Sequence, residues 1–261
     1  MKLASERGQS KNIFKKSLNA VVGLLGYQLV RKIPVERVQN YDSNFLELLK
    51  KRTYSEYTML SLPNLYALYS AIKHAVENNI PGDIVECGVW RGGAMMLAAD
   101  TLILLGDKSR NIWLYDTYTG MVEPAEVDVD SNGIHAINEM RQKKKTSNFT
   151  DWCYADITDV TANLSTTGYP KELLKFIKGD VLETIPKQSP EHIAILRLDT
   201  DWYESTNHEM RHLYPRLSSS GVLIVDDYGT WLGSKKAVDE YFAGKNTFLH
   251  RVDHTAVLHI K

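Results

Sequence analysis

Two acidic strings hold the residue types best suited to chemistry: Leu196-Arg197-Leu198-Asp199-Thr200-Asp201 and Leu223-Ile224-Val225-Asp226-Asp227-Tyr228. Each is an apolar, strand-like run that ends in carboxylates. Asp199 and Asp226 lie 27 positions apart, the spacing of parallel strands joined by one crossover helix. The carboxylates then meet at the carboxyl edge of the sheet, where open α/β folds bind their ligands. Several carboxylates in one cleft repel one another unless a cation lies among them. The pattern points to a hard divalent metal site. The competing reading is that each Asp caps the helix after its strand. A single such Asp would be read that way, but two strands ending alike favour the metal.

A second group of residues suits a nucleoside-like ligand. Val85-Glu86-Cys87-Gly88-Val89-Trp90-Arg91-Gly92-Gly93-Ala94 lets the backbone turn sharply and brings a ligand close to a helix amino end. It is neither GxGxxG nor GxxxxGK[ST], so dinucleotide and phosphate-cradling fingerprints are unmet. Asp116 ends the next apolar run, where an acid can accept both hydrogen bonds of a ribose diol. Asp180 ends a third run and can face the amine edge of a purine. Each of these acids alone reads equally as a helix cap or a solvated loop residue. Glycine turn, ribose acid and purine acid in this order suit an adenosyl ligand without phosphates. Three histidines, His135, His208 and His212, compete for a proton-accepting role. His208 and His212 are four apart on an expected helix, but no HExxH string accompanies them, so they read as surface or packing residues.

The elements needed to position these groups follow from the hydrophobic rhythm. Residues 42–80 have helical spacing, with Pro63 as a break or first-turn residue. From Ile84 onward, strands alternate with helices. The expected strands are Ile84–Gly88, Ile112–Asp116, Leu174–Gly179, Ile193–Asp199 and Gly221–Asp226, with a helix over Gly93–Leu105. This rhythm predicts a parallel sheet covered by helices on both faces. At the end, Thr247–Val252 and Thr255–Lys261 flank only Asp253-His254, which predicts an antiparallel hairpin at a sheet edge. A long insertion, 118–170, holds an acid-rich string from Glu123 to Asp130 and the basic Lys143-Lys144-Lys145. It reads either as a mobile lid beside the ligand edge or as a disordered surface loop.

Composition excludes several classes. The chain has 261 residues, a net charge of −1, 43% hydrophobic and 24% charged residues. These values suit one large α/β domain and no bulk nucleic-acid binder. Cys87 and Cys153 are the two cysteines, and no CxxC occurs, which suits a reducing, cytoplasmic location. No apolar run approaches the roughly 18 residues of a membrane span. Residues 1–40 form a basic amphipathic arm, with Lys11, Lys15, Lys16, Arg31 and Lys32 around Phe14, Leu18, Val21 and Leu25. Such an arm suits packing on its own domain or on a second subunit, as in a homo-oligomer. The other reading is contact with an anionic membrane at the cytoplasmic face.

The strings IVECGVWRGGAMMLAA, LYDTYTGM and KGDVLETIP, with the block LRLDTDWYESTNHEMRHLYPRLSSSGVLIVDDYG, resemble the macrocin-type (TylF/MycF) sugar O-methyltransferases over residues 54–261. The resemblance implies a class I SAM-dependent methyltransferase: a Rossmann-like α/β fold with a seven-stranded sheet and an antiparallel last strand, spanning 41–261. It implies S-adenosylmethionine (SAM) and Mg2+ as cofactors and a small-molecule or glycan acceptor with adjacent hydroxyls. It further implies that Glu86, Gly88, Arg91, Gly92 and Gly93 form the first SAM loop. Asp116 then holds the ribose, Asp180 the adenine side, and Thr58 and Met59 close over SAM. Asp199, Asp226 and Asp227 correspond to the metal ligands, and Asp199 also to the general base. Asp201, two residues beyond Asp199, can face the same way from a second shell. The alternative is a non-catalytic glycan-binding protein that keeps the fold.

Overall fold

The computed structural model describes residues 41–146 and 149–261; the expected basic arm, 1–40, lies outside the described residues. The fold opens with two helices, α1 (Ser43–Lys51) and α2 (Leu62–Glu77). Asp42 caps α1 by accepting from Asn44 N, and Ser61 caps α2 by accepting from Asn64 N, with Pro63 in the first turn. The alternating region follows as β1 (Asp83–Cys87), α3 (Gly93–Leu104) and β2 (Ile112–Asp116). The insertion supplies α4 (Ala136–Lys143), the short pair β3 (Lys144–Thr146) and β4 (Phe149–Thr150), and α5 (Ile157–Ser165). Then come β5 (Leu174–Lys178), α6 (Val181–Thr184), β6 (Ile193–Leu198), α7 (Tyr203–His212), β7 (Leu217–Val225), α8 (Leu232–Phe242), β8 (His250–Arg251) and β9 (Val257–Ile260).

Seven strands form one sheet in the order β5-β2-β1-β6-β7-β9-β8. The first five run parallel, and β9 pairs antiparallel with both β7 and β8. This is the class I methyltransferase arrangement. β6 is buried along its whole length, as expected for a parallel strand covered on both faces. Val85, Leu196, Leu198, Leu223 and Val225 share one apolar cluster with Met210 and Val238 of the covering helices. Each such side chain contributes about 1.5–3 kcal/mol by leaving water.

The ladder continues one bond past the strand ends. Asp199 N donates to Cys87 O (2.8 Å), Asp226 N to Leu198 O (2.9 Å) and Gly88 N to Tyr115 O (2.9 Å). These bonds hold Gly88, Asp199 and Asp226 side by side at the carboxyl edge. β7 begins at Leu217, four residues before the expected Gly221: Leu217 pairs with Ile193, and the register shifts across 218–221 before Val222 pairs with Ile195. The closing hairpin is shorter than expected. β8 shrinks to the two exposed residues His250–Arg251 at the sheet edge, and the turn between β8 and β9 is organised by Asp253, whose Oδ1 accepts from Thr255 N and Ala256 N.

Candidate active site

A cleft of about 450 Å³ opens at this carboxyl edge. Its floor is acidic. Asp199, Asp226 and Asp227 each present a carboxylate oxygen within 4.8 Å of the others. Beneath them lies Arg197, 1% exposed. Its Nη1 donates to Glu86 Oε1 (2.6 Å) and Asp199 Oδ2 (2.7 Å), while Nη2 faces Asp226 Oδ1 at 3.1 Å. Asn64 Nδ2, from α2, also donates to Asp226 Oδ1 (3.1 Å). Asp227 is 8% exposed, lines the cleft, and its Oδ2 has no hydrogen-bond partner among the described residues. A buried carboxylate oxygen without a partner is costly. One cation among three such oxygens would relieve it, and an all-oxygen donor set suits a hard divalent ion.

The electrostatics agree with that deficit of positive charge. Burial, and then the charge of Asp199, push the Asp226 carboxyl well above its usual range, against the opposing pull of Arg197. Burial and the charges of Asp201 and Asp199 do the same to Asp227. Asp201 is pushed up to about 7, first by burial and then by Asp199 and Asp226, although a contact with Asp227 works the other way. Its backbone is left-handed (φ 66°), a strained setting for a residue that is not glycine. Glu86 rises to about 8 because its desolvation outweighs its ion pair with Arg197. One guanidinium is too little charge for this many carboxylates.

The neighbouring wall is built around Asp116. Its Oδ2 accepts from Val89 N (2.7 Å) and Trp90 N (3.1 Å), and its Oδ1 from Tyr118 N (2.7 Å). The acid expected to hold a ribose thus first holds the glycine turn in place. Burial raises its pKa despite these three bonds. Gly88 (φ 82°) is required by the protein itself, since a Cβ there would lie 1.9 Å from Asp199 O. A side pocket of about 60 Å³ lies between Gly88, Asp116, Gly179 and Asp180. Asp180 caps α6 through Leu182 N (2.9 Å). Thr58 and Met59 line the main cleft, Met59 with 68% exposure.

Arg91, Gly92 and Gly93 do not reach the cleft wall. Arg91 pairs with Asp159 of α5 and donates to Glu56 O. A Cβ at Gly92 would strike Leu164, and one at Gly93 would lie 2.5 Å from Tyr57 C. These three residues clamp α3 against α5 and the 54–57 turn. The part of the turn that faces the cleft is Gly88–Trp90.

The sequence profile of the macrocin-O-methyltransferase (TylF) family matches residues 12–261. The chain belongs to the TylF family. This TylF-family enzyme is 33% identical over 187 residues to the demethyldecarbamoylnovobiocin O-methyltransferase of Streptomyces niveus, covering 72% of this chain and 68% of the relative. It is 35% identical to the Streptomyces olivaceus enzyme that methylates the 4′ position of 8-demethyl-8-(2,3-dimethoxy-alpha-L-rhamnosyl)-tetracenomycin C, over 66% of this chain and 62% of the relative. The solved O-methyltransferase NovP superposes with a TM-score of 0.67 at 30% identity, covering 78% of this chain and 82% of that one. The TylF-family protein is therefore a SAM-dependent O-methyltransferase. The family match begins at residue 12 rather than near 54, so most of the basic arm falls inside the family pattern.

Several cleft residues of this methyltransferase were not signalled by sequence. Asn64, Asp253, His254 and Thr255 line the cleft from α2 and the β8–β9 turn. Asn64 Nδ2 also donates to Thr255 Oγ1 (3.3 Å), and Ser61 Oγ to Asp253 Oδ2 (2.5 Å). Only the fold brings these segments together. The three histidines weighed as bases lie elsewhere: His208 contacts Ile185 O, the His212 ring lies tilted against that of His208, and His135 contacts Glu126 O.

Described residues of the insertion pack against the domain. Trp152, Trp202 and Trp231 form a cluster with Ala136 and Met140, and Trp152 and Trp231 also line the cleft. Asp128, fully buried, accepts from Tyr203 N (2.7 Å) and Ala125 N (2.8 Å). It thereby caps α7, whose own N-cap residue Trp202 provides no side-chain cap. A Cβ on Gly233 would lie 1.9 Å from Asp128 Oδ1. Among the described residues, no helix is long and apolar enough to cross a membrane.

Proposed function

We propose that this enzyme methylates a sugar hydroxyl of a glycosylated natural product, using SAM and Mg2+, with Asp199 as general base. The observation that carries the metal is the acidic floor, where Asp227 Oδ2 is buried without a partner beside Asp199 and Asp226. The relative named for a rhamnosyl substrate supports the sugar. Asp199, Asp226 and Asp227 would hold the cation, which would supply positive charge beside the acceptor oxygen and ease loss of its proton. Asp199 would accept that proton, a contribution of about 10²–10⁴-fold for a placed general base. SAM supplies a methyl on a sulfonium, displaced in line to leave a neutral thioether.

Gly88–Trp90 and Asp116 would hold the methyl donor, with Asp180 toward its base in the side pocket and Thr58 and Met59 over it. Glu86 would act from below, through Arg197. Trp152 and Trp231 offer an apolar wall for the carbon face of a sugar ring, and the Asp253–Thr255 turn offers polar groups opposite. The packed insertion would exclude water as a cover. For the arm, deletion of residues 1–32 is expected to spare SAM binding. Salt-sensitive loss of vesicle binding would then indicate a membrane role, and concentration-dependent loss of an oligomer a subunit contact.

The test is methyl transfer from labelled SAM to matched pairs of glycosides and their aglycones, with Mg2+ and with excess EDTA. Turnover restricted to glycosides and abolished by EDTA is expected. Equal turnover of the aglycones would end the sugar reading, and full activity in EDTA the metal reading.

A further inference from the structure

We infer that Arg197 is a positioning residue that decides which oxygens of Asp199 and Asp226 are turned toward the cation; the inference rests on the metal reading above. Arg197 is the next-to-last residue of a strand whose other residues are apolar, and it is 1% exposed. A charge in that position persists only if it is paired on all sides. The pairing is specific. Glu86 stands directly opposite Arg197 in the β1–β6 register, and its Oε1 takes Nη1 at 2.6 Å. The same nitrogen takes Asp199 Oδ2, and Nη2 lies 3.1 Å from Asp226 Oδ1 as an ion pair without hydrogen-bond geometry. Among the described residues, the hydrogen bonds and ion pairs of Asp199 use Oδ2 alone, and those of Asp226 use Oδ1 alone. The guanidinium thus occupies Asp199 Oδ2 and lies against Asp226 Oδ1 from below, so on this inference the other oxygen of each carboxylate is the one offered to the cation. Glu86 is outside the three-carboxylate cluster and acts as the anchor that holds the fork still.

Charge alone argues the reverse. A guanidinium beside a cation site repels the cation, so its removal should tighten metal binding. If Arg197 positions the ligands, its removal should loosen metal binding. The sign of the change separates the two views.

The experiment titrates metal-free, full-length protein with Mn2+ by calorimetry and by the electron paramagnetic resonance of free Mn2+, with no acceptor present. SAM affinity is measured in parallel. Arg197→Met is expected to weaken Mn2+ at least tenfold and leave SAM affinity within about twofold. Arg197→Lys restores the charge without the fork, so it is also expected to weaken Mn2+. Mn2+ binding as tight as or tighter than wild type in either variant overturns the inference, as does an equal loss of SAM and Mn2+ affinity. If Arg197→Met does not fold, the Arg197→Lys result decides alone. Failure of the wild-type protein to bind Mn2+ would remove the metal reading and this inference together. Normal wild-type binding with unweakened variants would remove the inference only.

Discussion

Asp116 and Asp227 are both aspartates at the carboxyl edge of one sheet, yet their surroundings differ in kind. Asp116 is the last residue of β2, and its two oxygens accept three backbone N–H groups from the turns it supports. Asp227 follows β7, is buried where Asp116 is only half-buried, and has an oxygen with no partner among the described residues. The first is satisfied by its own chain and works as a brace. The second is left short of positive charge together with Asp199 and Asp226. A strand-end acid is therefore read by counting what already binds it.

The largest effect should come from Asp199→Asn, which keeps the size of the side chain and removes its charge. Methyl transfer is expected to fall by at least about 10²–10⁴-fold, with SAM affinity within about twofold by calorimetry. Turnover near wild type would show that the acidic edge is no more catalytic than the Asp116 brace. Next, Asp226→Ala combined with Asp227→Ala should abolish the activation by Mg2+ while leaving the melting temperature equal or higher, because two repelling buried acids are gone. A sharp fall in melting temperature would mean that these acids also brace the fold.

Asp116→Ala should behave in the opposite way. Losing a charged acceptor for backbone N–H groups costs roughly 1.5–3 kcal/mol. That corresponds to about tenfold or more in SAM affinity if the loss is felt there, and to roughly 2–4 °C per kcal/mol in melting temperature. Unchanged values in both assays would show that the turn holds itself. The smallest effect is expected far from both edges, at Asp42. Its hydrogen bond from Lys73 outweighs partial burial and lowers its pKa from 3.8 to about 2. A depressed carboxyl stabilises the fold above its unfolded pKa and loses that contribution as pH falls through the folded value. Asp42→Asn should therefore lower stability slightly at neutral pH, and the gap to wild type should close between about pH 4 and 2. A gap that persists unchanged at low pH would assign the effect to the lost cap of α1 instead.

The sheet and the acidic floor were legible because both rest on local patterns. β2 was bounded correctly at Ile112–Asp116, since an apolar run with a polar end needs only its own residues to be recognised. Asp199, Asp226 and Asp227 followed from two such ends. What sequence could not give were contacts across the fold. Asn64 and Thr255 are far apart in the chain, and their hydrogen bond exists only because α2 and the β8–β9 turn meet over β7. Asp128 looked like one acid among several in a polar insertion, while its burial at the start of α7 depends on the gap left by Gly233. Arg197 did carry a signal, as a lone cation in an apolar strand two residues before Asp199, and a buried strand of that kind demands a partner. Arg91, Gly92 and Gly93, which the family resemblance assigns to the first SAM loop, also pack against Asp159, Leu164 and Tyr57, contacts that no local pattern announces.

At Gly88 the turn that borders the cofactor wall lies directly against the backbone of Asp199, with no room for a Cβ. The gap between the proposed donor side and the acidic floor is thus set by main chain on main chain, the stiffest ruler a protein possesses. An in-line transfer is sensitive to this spacing, since about 1 Å of misplacement can cost on the order of 10²-fold in rate. One methyl group added to the protein at this position would push the two sides apart by about the width of the group the enzyme exists to move.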